Sequence, residues 1–309
     1  MMEVPDGSSG ANHTNGTKTW IRQMGNPLLS LASLTARVLP MPLKRALYRW
    51  APLARLIRRG LNLAAPAGLT QVSIASGASR GMRMLLDLQV EKDYWLGTYE
   101  SQLQMAIAEW ARPGMVAYDV GANIGYISLL FARAVGKSGQ VFAFEALPEN
   151  VERLKTTIAL NALGESVTVI SAALVDRSRP VDFLIGPSGG MGKAQGSAGR
   201  QQFEYRQSIA VTGISLDAFV YQQGNPAPQI IKMDIEGGEV LALPGMCEVL
   251  AKERPLILLE LHGPKAAEVA WETLTSMDYD IHRIAPGYPL VKALNSLDWK
   301  AYLLARPKR

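Results

Sequence analysis

The sequence predicts an α/β protein with a doubly wound, mostly parallel sheet and an antiparallel edge. Three observations point to this class. Strand patterns alternate with helical patterns from residue 115 onward. The runs "PQIIKMD" (228–234) and "PLILLELH" (255–262) are largely apolar, as strands buried on both faces are. A glycine-containing turn, "DVGANIG" (119–125), joins the strand predicted at 115–121 to the helix predicted at 124–135.

The N-terminal region has a different composition. Residues 1–26 are rich in Gly, Ser, Asn and Thr and predict a disordered leader. Residues 27–65 predict a basic helical extension, because 27–59 hold seven Lys or Arg and no acid, and three prolines divide them into short helices. The favoured interpretation is a helical cap on the domain that follows, 66–309. The alternative is peripheral contact with an anionic membrane surface.

Composition limits the classes of protein. The chain has 309 residues and is 48% hydrophobic, enough for a substantial core, yet no apolar run reaches the roughly 18 residues of a membrane span. The single cysteine, Cys247, makes no internal disulfide. We expect a cytoplasmic protein, at the inner membrane face if the extension binds there. Because the positive charge is concentrated in residues 1–86, we expect no nucleic-acid partner; the oligomeric state stays open.

The elements follow in order along the chain. Two alternating runs in 70–88 predict a β-hairpin, and 100–112 predict a helix that stops at Pro113. Strands are predicted at 115–121, 140–145 and 166–174, with helices at 124–135 and 148–162 between them. Residues 180–185 and 207–215 predict an antiparallel excursion. The polar, glycine-rich stretch 186–206 between them is expected to be a flexible loop that does not pack and helps to cover the acceptor.

The glycine turn predicts a bound cofactor. Gly121 and Gly125 let the backbone approach a ligand, and the helix that follows points free N–H groups at it. The spacing departs from G-x-G-x-x-G, because Asn123 stands in the middle place, which weakens a dinucleotide interpretation. Glu145 ends the next strand and can accept two hydrogen bonds from a ribose diol. With Asp119 just before the turn, these residues favour an adenosine-type cofactor.

Several motifs together resemble the FkbM-type methyltransferases. They are "YDVGANIGYISL", "FAFEALPENVERLKTTIALN", "SAALVDRSRPVDF", "ISLDAFV", "IIKMDIEGGEVLALPGM" and "LLELHG", in that order. The resemblance covers roughly residues 70–285 and implies the class I methyltransferase fold with S-adenosylmethionine as cofactor. It implies that the methionine half of the cofactor lies on Asp119, Gly121, Asn123 and Gly125. It also implies that Glu145 holds the ribose, that the adenine lies beside Ala173, and that Glu100 approaches the amino group. Asp234 closes a buried strand, which places it at the edge of the cofactor.

Candidate catalytic residues follow the last two parallel strands. An alcohol that accepts a methyl group loses a proton, so a nearby base helps. We expect His262, Asp234 and Glu236 to serve as catalytic residues, with His262 as general base. Asp234, Glu260 and His262 can also assemble a divalent metal site. The sequence favours a reaction without a metal.

The predicted function is S-adenosylmethionine-dependent O-methylation of a hydroxyl on a sugar, glycolipid or polyketide-type acceptor. Two alternatives stay open: a nicotinamide-dependent dehydrogenase, and a non-catalytic protein that binds an adenosine cofactor. Calorimetry with S-adenosylmethionine and with NAD separates the methyltransferase from the dehydrogenase, and turnover to S-adenosylhomocysteine excludes the non-catalytic protein. No motif identifies the acceptor.

Overall fold

The computed structural model describes residues 63–186, 192–199, 205, 207–297 and 300–308, with 31, 32, 34, 35, 38, 55 and 59–61 in the N-terminal region. The leader predicted at 1–26, and most of the extension at 27–65, lie outside the described residues and stay predictions. Within the described part of the chain, every helix is too short or too polar to traverse a bilayer.

The elements alternate between strand and helix, as the sequence predicts. In chain order they are β1 (Leu69–Ser73), β2 (Arg83–Asp87), α1 (Lys92–Leu96), α2 (Ser101–Trp110), β3 (Val116–Val120), α3 (Tyr126–Val135), β4 (Gln140–Glu145), α4 (Pro148–Leu160), β5 (Val167–Ser171), β6 (Ala173–Leu174), β7 (Arg179–Ile185), β8 (Lys193–Ala194), β9 (Gln207–Ile214), a π-helix (Ala218–Gln222), β10 (Ile230–Met233), α5 (Glu239–Ala242), a 3₁₀ turn (Leu243–Met246), α6 (Cys247–Lys252), β11 (Leu256–His262), α7 (Pro264–Ser276), β12 (Tyr279–Arg283), a 3₁₀ turn (Leu294–Ser296) and β13 (Lys300–Pro307).

A seven-stranded sheet forms the centre of the domain, in the order β12-β13-β11-β10-β3-β4-β5. The five strands from β11 to β5 are parallel. Strand β13 runs antiparallel to both β11 and β12, which confirms the predicted mostly parallel sheet with an antiparallel edge. All parallel strands end on the same side, so the residues that follow them converge at one edge of the sheet.

Helices cover both faces of this sheet. On one face Ile127 of α3 and Leu154 of α4 pack in one core with Met84 of the β1–β2 hairpin. On the other face Phe219 and Leu274 pack with Ile231 of β10. Strand β10 is buried at every position because it lies in the middle of the sheet with helices on each side.

A second, four-stranded sheet has the order β6-β9-β7-β8. The strand predicted over 166–174 is divided here, because β5 belongs to the central sheet and β6 to the second. The expectation that 186–206 does not pack is wrong for 192–199. There Lys193 and Ala194 form β8 against β7, and the Ala198 N–H donates to the Gly237 carbonyl at 2.9 Å. This segment therefore packs beside the turn that follows β10.

Candidate active site

The glycine turn after β3 is shaped by a close backbone contact. Gly121 has φ of 77°, and a Cβ at this position would lie 2.0 Å from the Asp234 carbonyl oxygen. The N–H groups of Gly121 and Ala122 both donate to the Phe144 carbonyl, at 3.0 and 2.8 Å. The turn is thus fixed between the ends of β4 and β10, and only glycine fits at its first position.

Gly125 serves packing. It precedes α3 with φ of 94°, and a Cβ there would lie 2.7 Å from Leu154 Cδ1 of α4. The Thr157 hydroxyl of the same helix donates to the Ile124 carbonyl at 2.8 Å. Gly125 lets α3 and α4 approach closely, so its contribution to a ligand site is to fix where α3 begins.

Glu145 ends β4 and links two loops. Its Oε2 accepts a hydrogen bond from the Asn123 N–H at 2.8 Å, and its Oε1 accepts one from the Leu147 N–H at 2.8 Å. The residue is 7% exposed. Burial raises the pKa of Glu145, although the Leu147 and Asn123 N–H groups oppose that shift. Oε1 also accepts from the Asn150 side-chain amide at 3.5 Å, so Oε2 is the oxygen with a lone pair free for a ligand in the cavity.

A buried lysine lies beneath the turn. Lys232 Nζ lies 3.4 Å from Asp119 Oδ1 and 3.9 Å from Asp234 Oδ2, and it donates to the Gly121 carbonyl at 2.8 Å. The other Asp119 oxygen accepts from the Ser128 hydroxyl at 2.6 Å. Burial alone would lower the pKa of Lys232, but the charges of Asp119 and Asp234 raise it above its ordinary value. Lys232 therefore holds its proton and joins the glycine turn to the end of β10.

A cavity opens at the carboxyl ends of the parallel strands. Seven of the ten predicted site residues line it: Glu100, Gly121, Asn123, Glu145, Ala173, Asp234 and Glu236. As far as the structure describes the wall, Asp119, Gly125 and His262 lie behind it. Phe183 of β7 and Ala194 of β8 also face the cavity, so the second sheet forms part of the wall.

His262 is enclosed by carboxylates. Its Nε2 lies 3.1 Å from Glu260 Oε1 and 3.8 Å from Glu236 Oε2. Its Nδ1 lies 3.9 Å from both Asp234 Oδ1 and Glu239 Oε1. Glu260 and His262 are two apart on β11 and so point to the same face. Asp234 and Glu236 approach from the turn after β10, which pairs in parallel with β11.

The carboxyls of this group have different acidities. Burial raises the pKa of Asp234 to about 7, with Lys232 opposing the shift. Burial acts in the same direction on Glu260, but His262 and Lys300 outweigh it and lower the Glu260 pKa. Burial would lower the pKa of His262, yet Glu239 and Glu260 raise it to about 10. The pKa of Asp234 is thus near neutrality, whereas that of Glu260 lies below its ordinary value.

Sequence reasoning missed several residues of the wall. The sequence places Lys232 within a largely apolar strand, and a lone lysine inside such a run is a signal of a buried partner. Lys300 comes from β13, which pairs with β11 so that Lys300 stands opposite His262, and its Nζ contacts Glu260 Oε1. No local sequence pattern predicts that pairing.

Tyr94 and Tyr99 also line the cavity, beside Glu100, and their ring centroids lie 4.3 Å apart.

The sheet order and the cavity at the ends of its parallel strands define a class I S-adenosylmethionine-dependent methyltransferase domain. The family model for the methyltransferase FkbM domain matches residues 119–284, just over half of the chain. The chain belongs to the FkbM methyltransferase family, which confirms the resemblance seen in its motifs. S-adenosylmethionine is the cofactor, as predicted.

Individual relatives are distant. The chain is 29% identical over 164 residues to the hexuronic acid methyltransferase AglP of Haloferax volcanii, a match over 53% of this chain. The chain spans 63% of the length of that curated relative. Among solved structures, the methyltransferase FkbM of Methylobacillus flagellatus is 16% identical with a TM-score of 0.41, over 82% of this chain and 60% of its own. An S-adenosylmethionine-dependent O-methyltransferase of Thermotoga maritima is 15% identical with a TM-score of 0.38, over 71% and 66%.

Proposed function

We propose that the protein methylates a hydroxyl group of a neutral glycan or glycolipid acceptor, with S-adenosylmethionine as methyl donor. One observation carries the proposal. One cavity is lined both by Gly121, Asn123 and Glu145 and by the carboxylates Asp234, Glu236 and Glu260. The first set suits the adenosine and methionine parts of the cofactor, and the second suits an acceptor that must lose a proton.

The residues present fit the cofactor. Glu145 Oε2 offers a lone pair to a ribose hydroxyl, and Ala173 lines the wall where a flat base would lie. Glu100 lines the same wall, and its buried Oε2 has no hydrogen-bond partner among the residues that the structure describes. A carboxylate oxygen in that state suits an ammonium group. When bound, S-adenosylmethionine supplies an electrophilic methyl group on a sulfonium.

Two carboxylates are available to the acceptor proton, because Glu260, the third one near His262 in the wall, is paired with Lys300. Asp234 and Glu236 both line the cavity, and the pKa of Asp234, raised to about 7 by burial, suits a base near neutral pH. His262 lies behind them and is 1% exposed. We therefore propose that His262 is a positioning residue, and that Asp234 or Glu236 receives the proton. This assignment replaces the expectation that His262 is the general base.

The charge of the cavity favours a hydroxyl over a carboxylate as the methyl acceptor. Of the charged residues described along the wall, five are acidic and two are basic: Glu100, Glu145, Asp234, Glu236 and Glu260 against Lys232 and Lys300. A negatively charged acceptor would meet like charge at short range, which is costly in a partly buried site. AglP is by its name a hexuronic acid methyltransferase, and that supports a sugar acceptor here. The wall favours the neutral groups of such a sugar.

The test uses S-adenosylmethionine labelled on its methyl group, the purified full chain, and neutral glycosides, uronates and glycolipid extracts as acceptors. We expect S-adenosylhomocysteine to form with neutral acceptors, and the label to stay bound after mild alkali, since an ether survives it. Release of the label as methanol would identify a methyl ester and refute hydroxyl transfer. Absence of S-adenosylhomocysteine with every acceptor, despite cofactor binding, would favour the non-catalytic alternative.

Mass spectrometry of a deletion strain identifies the natural acceptor. Lipid and polysaccharide extracts of the deletion strain should contain a glycan lighter by one methyl group than its counterpart in the parent. Incubating that lighter species with the purified chain and cofactor should restore the parental mass. If extracts from the two strains match in every glycan, the proposed acceptor class is wrong.

A further inference from the structure

The carboxylates around His262 leave negative charge that the nearby lysines do not balance. Four of them, Asp234, Glu236, Glu239 and Glu260, have an oxygen within 3.9 Å of a ring nitrogen of His262. Lys300 contacts Glu260, and the charge of Lys232 is shared with Asp119. Two carboxylates of the group, Glu236 and Glu239, therefore have no lysine or arginine in an ion pair among the described residues.

Several buried atoms of this group also lack hydrogen bonds. In the described part of the chain, His262 Nδ1, Glu260 Oε2 and Glu239 Oε2 have no hydrogen-bond partner. Their residues are 1%, 3% and 0% exposed. Buried polar atoms are normally paired, so an unpaired ring nitrogen beside unpaired carboxylate oxygens indicates a ligand that those atoms would share. A cation bound there would replace the proton that the carboxylates otherwise hold on His262, because a metal ligand must be a neutral imidazole.

The lysines leave the relevant oxygens free. Lys300 reaches Glu260 Oε1, whereas Oε2 is the unpaired oxygen. Lys232 lies nearest Asp234 Oδ2, whereas Oδ1 faces His262 Nδ1. Asp234, Glu260 and His262 can each bring one ligand atom to within 4.8 Å of those of the other two. Binding one ion requires these atoms to move closer together, since ligands about 2.1 Å from an octahedral ion lie about 3 Å apart when adjacent and about 4.2 Å apart when opposite.

We propose that Asp234, Glu260 and His262 bind a divalent cation at the acceptor end of the cavity. Two carboxylate oxygens and one imidazole suit Mn²⁺, a first-row ion that accepts both donor types. Asp234 and Glu260 line the cavity, so the remaining coordination positions face the acceptor. This differs from the metal-free reaction that the sequence favours, because the sequence does not reveal which atoms are left unpaired.

The role of the cation rests on the proposed function. A cation held there would act as a Lewis acid that makes a nearby acceptor hydroxyl lose its proton more readily, and Glu236, which is outside the ligand set, would receive that proton. The alkoxide oxygen then forms a bond to the methyl carbon while the carbon–sulfur bond breaks and its electron pair stays on sulfur. The products are the methyl ether, neutral S-adenosylhomocysteine and a protonated Glu236.

Binding is tested by electron paramagnetic resonance of Mn²⁺ with the chelator-treated full chain, without cofactor or acceptor. We expect about one Mn²⁺ per chain, and an affinity at least about tenfold weaker in Asp234→Asn and in His262→Gln. Glu152→Gln, an exposed acid on α4 that pairs with Lys155, is the matched control and should bind as the unmodified chain does. Thermal unfolding of each variant identifies any that fails to fold.

The outcomes separate this proposal from the proposed function. If millimolar Mn²⁺ gives no bound ion, or if both ligand variants bind it as tightly as the control, the cation site is refuted. Methyl transfer that persists in full after chelation refutes its role while leaving O-methylation intact. Bound Mn²⁺ with no turnover on any acceptor would refute the function and leave the site. Asp234→Asn, at the cavity wall, is the milder variant if His262→Gln does not fold.

Discussion

Replacing Glu145 by glutamine separates its structural task from its proposed cofactor task. The carboxylate accepts the Asn123 and Leu147 N–H groups, both at 2.8 Å, through different oxygens. Glutamine has nearly the same shape, but it presents an NH₂ to one of those donors. One buried N–H then loses its acceptor, which costs about 1–3 kcal/mol of folding stability.

The cofactor task adds a separate loss. A hydrogen bond to a charged group contributes about 1.5–3 kcal/mol, so loss of the carboxylate should weaken S-adenosylmethionine roughly tenfold to a hundredfold. Isothermal titration gives the affinity of the Glu145→Gln and Glu145→Ala variants, and thermal unfolding gives their stability. Glu165→Gln, an exposed acid before β5, is the control and should change neither quantity.

The result that refutes the reasoning is a folded Glu145→Gln chain with unchanged cofactor affinity, together with unchanged affinity in Glu145→Ala. That outcome would place the ribose elsewhere and leave Glu145 as a link between two loops. A loss of stability without a loss of affinity, measured below the melting temperature, would have the same meaning.

The remaining predictions concern the turn, the acid group and the N-terminal segment. Gly121→Ala should lower the free energy of unfolding by more than the roughly 1–2 kcal/mol that a non-glycine residue costs in the left-handed conformation. The reason is that its Cβ would also lie 2.0 Å from a backbone oxygen. Gly164→Ala, where a Cβ meets nothing within 4 Å, is the control in thermal unfolding. Equal melting temperatures for the two would show that the turn is not tight. Asp234→Asn should lower turnover by about 10²–10⁴ while cofactor affinity stays nearly constant, so single-turnover assays and titration should disagree; wild-type turnover would exclude Asp234 from the reaction. The full chain and a version that begins at Leu61 should co-sediment equally with anionic liposomes at low and at physiological salt, because the prolines of 27–59 interrupt any long basic helix. Preferential sedimentation of the full chain would establish membrane contact instead.

Much of the fold could be predicted because local patterns dominate it. The strands β10 and β11 are apolar runs in a sheet covered on both faces, and their predicted limits lie within two residues of the observed ones at each end. The glycine turn was predicted for the same reason, since Gly121 has a positive φ that few other residues adopt. These features depend on residues that are close in the chain.

Pairings between distant segments could not be predicted in this way. Strand β13 lies between β11 and β12 and brings Lys300 to Glu260 from forty residues away. The packing of 192–199 against the turn after β10 depends on a backbone hydrogen bond between Ala198 and Gly237. Neither contact produces a periodic pattern in the sequence, so the sequence predicts the acceptor part of the wall only in part.

The acid group itself follows from two short spacings and one strand pairing. Glu260 and His262 share a face of β11 because a strand alternates its side chains. The parallel pairing of β10 with β11 places Met233 beside Leu259, so Asp234, the next residue, stands level with Glu260. The turn "DIEGGE" then returns Glu236 and Glu239 to the same histidine. The sequence thus specifies which carboxylates meet. The long-range partners Lys232, Asp119 and Lys300 determine which of their oxygens stay free. Those free oxygens are the basis of the cation proposal.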